Sequence, residues 1–361
     1  MKQKIPIILA GTTVGIAAIG LMQAGNPANM GICIACFLRD IAGSLGLHQA
    51  AVVQYMRPEI LGIVIGAFAV ALIRREFRPV GGSSAMARFL LGFLAMIGFL
   101  VFLGCPLRMT IRLAAGDLNA VVGLVGLAAG VGAGVGFIKN GFSLGRATPR
   151  SAVNGYLFPG IFIGLTILFL AGASFIVASE KGPGAMHAPV FLSLAAGLII
   201  GGLAQYSRLC LVGGIRDFLF FRDTYLLTGL GVIFTVALIG NIAVGAFNVG
   251  FEAPIAHNDG LWNFLGMALA GLCSTLAGGC PLRQLVASAE GNTDAAVTVM
   301  GLLAGAAMAH NWKLAASPAG VPVNGQIAVI LGLLIVVGFA LATITSKATT
   351  QRGVVDERAS S

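Results

Sequence analysis

Gly104-Cys105-Pro106-Leu107-Arg108 closes an apolar run that begins at residue 88. The same five residues return as Gly279-Cys280-Pro281-Leu282-Arg283, at the end of a run that begins at 261. Proline withdraws a backbone donor and pushes the residue before it out of the helical region. It is also favoured as the first residue of a new helix. Each copy therefore reads as a break at the cysteine, with Pro106 and Pro281 opening a half-helix. A second motif repeats in the same order: Cys33…Arg39-Asp40 returns as Cys210…Arg216-Asp217. Gly116, Gly126 and Gly130 fall on Gly291, Gly301 and Gly305. Ordered matches at nearly equal offsets mark an internal duplication. The chain divides into residues 1–182, residues 183–346 and a tail at 347–361.

Composition sets the medium in which this duplication folds. Residues of the AVILMFWYC set make up 57% of the 361, charged residues 10%, and 52 are glycine. Soluble domains carry about 45–50% apolar and about 25% charged residues. Mean hydropathy is +0.95. So little polar surface cannot face water around a core of this size. The same figures exclude a secreted disulfide scaffold, a disordered chain and a nucleic-acid binder. The reading is an all-α polytopic membrane protein whose first partner is the lipid bilayer.

Ten apolar runs are candidate spans: 5–24, 59–73, 88–105, 118–138, 157–178, 189–206, 226–247, 261–279, 295–310 and 326–346. The first is read as retained and not as a signal peptide, because its apolar run is long for one. Five spans per half is an odd number, so the two halves are expected as inverted-topology repeats with the substrate site at their interface. Residues 31–53 and 208–222 carry charges inside short apolar segments. They are expected as re-entrant or broken helices at the centre, with amphipathic surface helices as the alternative. Placing Arg74, Arg75, Arg78 and Arg88 in the cytoplasm puts sixteen basic residues inside and six outside. Both termini are then cytoplasmic, and most of the net charge of +9 is topology signal. Gly126, Gly130 and Gly134, like Gly301 and Gly305, have the small-xxx-small spacing of close helix packing.

The repeated motifs carry the chemistry. A cysteine at a half-helix N-terminus lies beside free N–H groups and the positive end of the helix dipole. Arg108 and Arg283 follow on the first turn, where a positive charge opposes that dipole. This arrangement suits an anion; the plainer alternative is a proline kink with a buried thiol and a snorkelling arginine. Thiols add a polarizable, weak donor that matches a soft chalcogen better than a hard oxyanion. Cys33, Cys105, Cys210 and Cys280 with Arg108 and Arg283 are thus the candidate pathway for a small sulfur- or selenium-containing anion. Arg39–Asp40 and Arg216–Asp217 are expected to form structural ion pairs, because an unpaired charge there is costly. Asp40 and Asp217 being so committed, no buried acid stands out as a proton relay. Cys33 and Cys36 form a C-x-x-C that the second half does not keep. His48, His187, His257 and His310 sit at loops or span ends. Neither set points to a metal or cofactor, and none is expected. Cys36 and Cys273 lack repeat partners and read as small buried hydrophobes. No phosphate-binding motif for ATP is present.

At these residues the sequence resembles the YeeE/YedE family of inner-membrane sulfur-compound transporters, over residues 25–345. The resemblance implies a multi-pass protein of the bacterial inner membrane that imports thiosulfate past conserved cysteines. Cys33, Cys105 and Cys280 match such pathway cysteines, and Cys210 matches the Cys33 motif of the second half. The Gly-Cys-Pro-Leu-Arg pair is most similar to the YedE-type branch associated with selenium metabolism. The resemblance further implies short helices that do not fully cross. The expected function is a transporter or channel for a thiosulfate-like anion, not an enzyme. Two alternatives stay open: a membrane redox enzyme using cysteine persulfide or selenide chemistry, and a membrane partner of a soluble sulfur- or selenium-transfer protein.

Overall fold

The computed structural model of the protein describes residues 4–359. Lys2 and the last two residues of the expected tail lie outside them. The first half contains α1 (Ile5–Gln23), α2 (Ile34–Ser44), α3 (Pro58–Ile73), α4 (Ala85–Phe102), α5 (Pro106–Ala114), α6 (Leu118–Lys139) and α7 (Ala152–Leu170). The second contains α8 (Val190–Ser207), α9 (Leu211–Phe221), α10 (Tyr225–Ala243), α11 (Gly260–Ala277), α12 (Pro281–Ala289), α13 (Thr293–Asn311) and α14 (Val323–Ala359). Nine stretches among the described residues are long and apolar enough to cross a membrane, and α3 is a shorter apolar helix. All ten coincide with the runs expected from sequence.

The differences are local. The run expected at 157–178 is a helix over 152–170, because Gly172, at φ +69°, ends it. The tail expected from 347 continues α14. Two short strands, β1 (Val80–Gly81) and β2 (Thr148–Pro149), pair antiparallel and tie two loops together. The charged segments near 31–53 and 208–222 contain the eleven-residue helices α2 and α9.

The long helices pack in matched sets. α3 lies along α8 and α10 along α1; α11 lies along α6 and α13 along α4; α4 and α11 meet each other. Most of α4–α5 and α11–α12 is buried, whereas most side chains of α10 and of the described part of α14 are not, and these helices face outward. Glycine makes these approaches possible. A Cβ on Gly130 would stand 2.0 Å from the Ala268 carbonyl oxygen, and one on Gly301 2.1 Å from that of Phe89. Large apolar side chains such as Ile161, Phe191 and Leu334 are exposed on the outer helices, as a lipid-facing surface requires.

The chain breaks where the prolines predict. α4 ends at Leu103, at φ +60°, and α11 ends at Gly278, at φ +98°. The Gly104 N–H then reaches back to the Phe99 carbonyl and the Gly279 N–H to that of Ser274, both at 2.8 Å. Cys105 and Cys280 follow in extended conformation, and Pro106 and Pro281 start α5 and α12. Leu103 holds a conformation that the second copy gives to glycine, so the first break is the more strained of the two.

Candidate functional site

Four short helices begin at four cysteines. Cys33 and Cys210 are the N-caps of α2 and α9, with φ of −144° and −151°. Their Sγ atoms accept hydrogen bonds from the N–H groups of Cys36 (3.3 Å) and Gly213 (3.2 Å). Cys105 and Cys280 are the N-caps of α5 and α12. The helices bring the sulfurs together in two pairs. Cys33 Sγ lies 3.9 Å from Cys105 Sγ, and Cys210 Sγ lies 3.7 Å from Cys280 Sγ. The Cys280 N–H also points at Cys210 Sγ, at 3.4 Å. Each pair thus sits where two helix N-termini meet, and each receives the positive ends of two dipoles. All four residues are buried, at 0–4% exposure.

The two arginines of the repeated motif do different things. Arg108 is fully buried and bonds the carbonyls of Asn29 (3.0 Å), Ile255 (3.1 Å) and Leu103, and its Nη1 lies 3.6 Å from Cys36 Sγ. Among the described residues it has no carboxylate partner within ion-pair distance. Arg283 instead grips Glu290 with both terminal nitrogens, at 3.1 and 3.0 Å. Glu290 also holds Arg208 (2.6 Å), and Arg208 reaches Glu76 (2.7 Å). Glu76 is held below the ordinary carboxylate range, first by the Gln205 hydrogen bond and then by Arg74 and Arg208. Among the described residues Arg108, in the first copy of the motif, is therefore without an acid, whereas Arg283, in the second, is tied to one.

Arg39 and Asp40 pair at 2.6 Å, and Arg216 and Asp217 at 2.8 Å, as expected. Asp40 carries a second arginine that sequence reading left unexplained. Arg57 Nε lies 2.7 Å from it, and the rest of that guanidinium bonds the carbonyls of Pro183 and Met186. Arg112 is explained likewise by Asp117, at 2.6 Å with both side chains buried. Cys36 is not a spare hydrophobe, since it faces Arg108. Cys273 is buried in α11 and remains apart from the thiol pairs.

Two cavities open toward opposite ends of α3. One, of about 530 Å³, is lined by Arg39, Leu103, Met186, Ile255, His310 and Lys313. The other, of about 250 Å³, is lined by Glu76, Arg78, Arg208 and Glu290 with Val80 and Asn292. Leu103 and Ile255 of the first give their carbonyls to Arg108, and Glu290 of the second holds Arg283. No thiol lines either cavity. The histidines are engaged elsewhere: the His48 and His310 rings lie 4.6 Å apart at a tilt of 34°, His187 stacks on Tyr55, and His257 bonds the Val101 carbonyl. No cluster of three or more metal-ligating side chains lies among the described residues.

The residues that sequence reading passed over were Glu59, Glu76 and Glu290; Cys36 was read only as a small hydrophobe and Arg57 only as one of the six outside basic residues. Arg57 and Glu59 flank Pro58 at the head of an apolar span. Charged residues beside a helix-opening proline are a signal that could have found them. Glu76 and Glu290 sit at helix ends, where loop charges are ordinary.

No curated protein matches the chain. The model of a family described as sulphur transport matches residues 206–357, which takes in α9, α12, Cys210 and Cys280. With nine span-length apolar helices and one shorter one among the described residues, the chain is a multi-pass membrane protein, and over residues 206–357 it is similar to the sulphur transport family.

Proposed function

We propose that the protein imports a small sulfur- or selenium-containing anion of the thiosulfate type. The anion would pass Cys33 and Cys105, then Cys210 and Cys280. The observation that carries this reading is the convergence of four helix N-termini on two thiol pairs. A dianion approaching either pair meets two dipole ends and two polarizable S–H groups. Conduction needs several weak sites in series, because one tight site would trap the ion, and two separated pairs meet that need. Arg108, with no acid to neutralise it, draws the anion to the first pair. The Glu290–Arg283–Arg208–Glu76 network lies by the second, and its Glu76, Arg208 and Glu290 line the 250 Å³ cavity at that end.

The matched helix packing supports reading the halves, 1–182 and 183–346, as inverted repeats with the thiol pairs at their interface. The excess of basic residues in the loops on one side supports a reading in which the 530 Å³ cavity faces outward and the 250 Å³ cavity, with both termini, faces the cytoplasm of a bacterial inner membrane. Radiolabelled thiosulfate uptake into reconstituted vesicles tests the reading, with selenite, selenosulfate and sulfate as competitors. Uptake that selenosulfate blocks and sulfate does not is the expected outcome. No uptake, or equal competition by sulfate, refutes it. A stable sulfur adduct on Cys105 or Cys280, seen by mass spectrometry, would favour the redox enzyme instead.

A further inference from the structure

Glu59, in the first turn of α3, is 1% exposed. Its Oε1 accepts hydrogen bonds from Asn26 Nδ2 (2.8 Å) and Ser193 Oγ (3.0 Å). Its Oε2 is buried and has no hydrogen-bond partner. It forms no ion pair among the described residues. Arg57, two residues earlier, is committed to Asp40 and to two carbonyls. An ionised carboxylate in this setting is a buried charge held by neutral donors alone, which is strongly disfavoured. The helix N-terminus favours the anion by a smaller amount.

The packing does not require an acid here. α3 crosses α8 with Gly62 against Gly197, and α1 crosses α10 in the same manner with Gly11 against Gly229. The second crossing is filled by Ile7 and Val232. The acid is instead wired to the candidate pathway. Asn26 Nδ2 bonds both Glu59 and the Gly31 carbonyl (2.9 Å), two residues before Cys33. In the same segment the Asn29 carbonyl accepts from Arg108. Gly31 is pressed so closely on α1 that a Cβ would stand 1.8 Å from the Ala18 carbonyl oxygen. A charge appearing on Glu59 pulls on Asn26 and so on the segment that carries Cys33 and receives Arg108.

The other titratable and charged groups on the surrounding elements are these. α2 carries Cys36, Arg39 and Asp40; the loop before α3 carries Tyr55, and Arg57 is the N-cap of α3 itself. His187 precedes α8, Tyr206 and Arg208 end it, Tyr156 lies on α7, and Arg283 and Glu290 lie on and after α12. The cations among them are engaged by Asp40, Glu76 or Glu290, and none of these groups hydrogen-bonds Glu59.

We propose that Glu59 binds the proton that couples anion entry to the transmembrane proton gradient. The inference rests on the transport reading above. One proton enters with each anion and leaves on the far side, and no bond within the anion changes. The test has two arms. In vesicles, radiolabelled thiosulfate uptake is compared with and without a gradient one pH unit more acidic outside. Full coupling multiplies accumulation by up to about tenfold in the wild type, and in Glu59→Gln the ratio falls to about one. In detergent, dicyclohexylcarbodiimide, which modifies protonated buried carboxyls, should label Glu59 at neutral pH and less at alkaline pH. This is read by mass spectrometry of the wild type and needs neither a variant nor transport. Uptake indifferent to the gradient, a gradient response retained in Glu59→Gln, or an unlabelled Glu59 overturns the proposal. Vesicles that take up no thiosulfate refute the transport reading, and the labelling then decides alone whether Glu59 holds a proton.

Discussion

Replacing Asp40 by asparagine keeps its shape and removes its charge. Asp40 is fully buried and accepts from Arg39 Nε (2.9 Å), Arg39 Nη2 (2.6 Å) and Arg57 Nε (2.7 Å). The two guanidiniums are themselves 5% and 0% exposed. The neutral amide of Asp40→Asn would leave two buried cations without an anion, and breaking a buried pair costs about 3–5 kcal/mol. That is a factor of roughly a hundred or more in the unfolding equilibrium. The repeat-related Asp217 is an internal control. Its pair with Arg216 is 29% and 20% exposed, and exposed pairs contribute about 0–1 kcal/mol. Denaturant-induced unfolding in detergent, followed by circular dichroism, measures Asp40→Asn and Asp217→Asn against wild type. Proteolysis adds a local readout, because Arg57 ties down the carbonyls of Pro183 and Met186. Asp40→Asn should open that loop to cleavage. Equal losses for the two variants, or an Asp40→Asn midpoint near wild type, would refute the assignment of a buried charge cluster.

Gly130→Ala puts a methyl 2.0 Å from a backbone oxygen of α11 and should destabilise by about 1–3 kcal/mol. Gly136→Ala, which meets nothing within 4 Å, should not; thermal unfolding separates them. Glu290→Gln frees Arg283 and Arg208, the latter 46% exposed. Its cost should be about 1 kcal/mol, discounted for solvent screening, and should shrink in high salt where wild type is compared at equal ionic strength. A mild oxidant should form disulfides between Cys33 and Cys105 and between Cys210 and Cys280, mapped by peptide mass spectrometry. Crossed products such as Cys33 with Cys280 would contradict the pairing.

The spans were legible because crossing a bilayer demands long apolar runs, and only the first run had a competing reading, a signal peptide. The half-helices at Pro106 and Pro281 were legible because proline acts locally. α2 and α9 were legible only as trouble: charged segments that could not be plain spans. What sequence could not give is which elements meet. Nothing in the spacing of Cys33 and Cys105 says that their sulfurs lie 3.9 Å apart, since that follows from how α2 and α5 are packed. The divergence of Arg108 and Arg283 was hidden for the same reason. Identical motifs received different neighbours, Cys36 and carbonyls in one half, Glu290 in the other. Cys36 was set aside because the repeat does not keep it, yet the first half uses it against a buried arginine. Glu59 reads in sequence as a favourable first-turn acid, and only burial without a cation marks it out.

Initial rates of radiolabelled thiosulfate uptake by vesicles carrying wild type, Cys105→Ala, Cys280→Ala and Cys273→Ala, at matched protein content, test the thiol pathway most directly. Cys273 is as buried as the others but belongs to neither pair. The thiol pathway predicts that Cys105→Ala and Cys280→Ala each abolish uptake while Cys273→Ala transports at close to the wild-type rate. Wild-type rates in both Cys105→Ala and Cys280→Ala would contradict it.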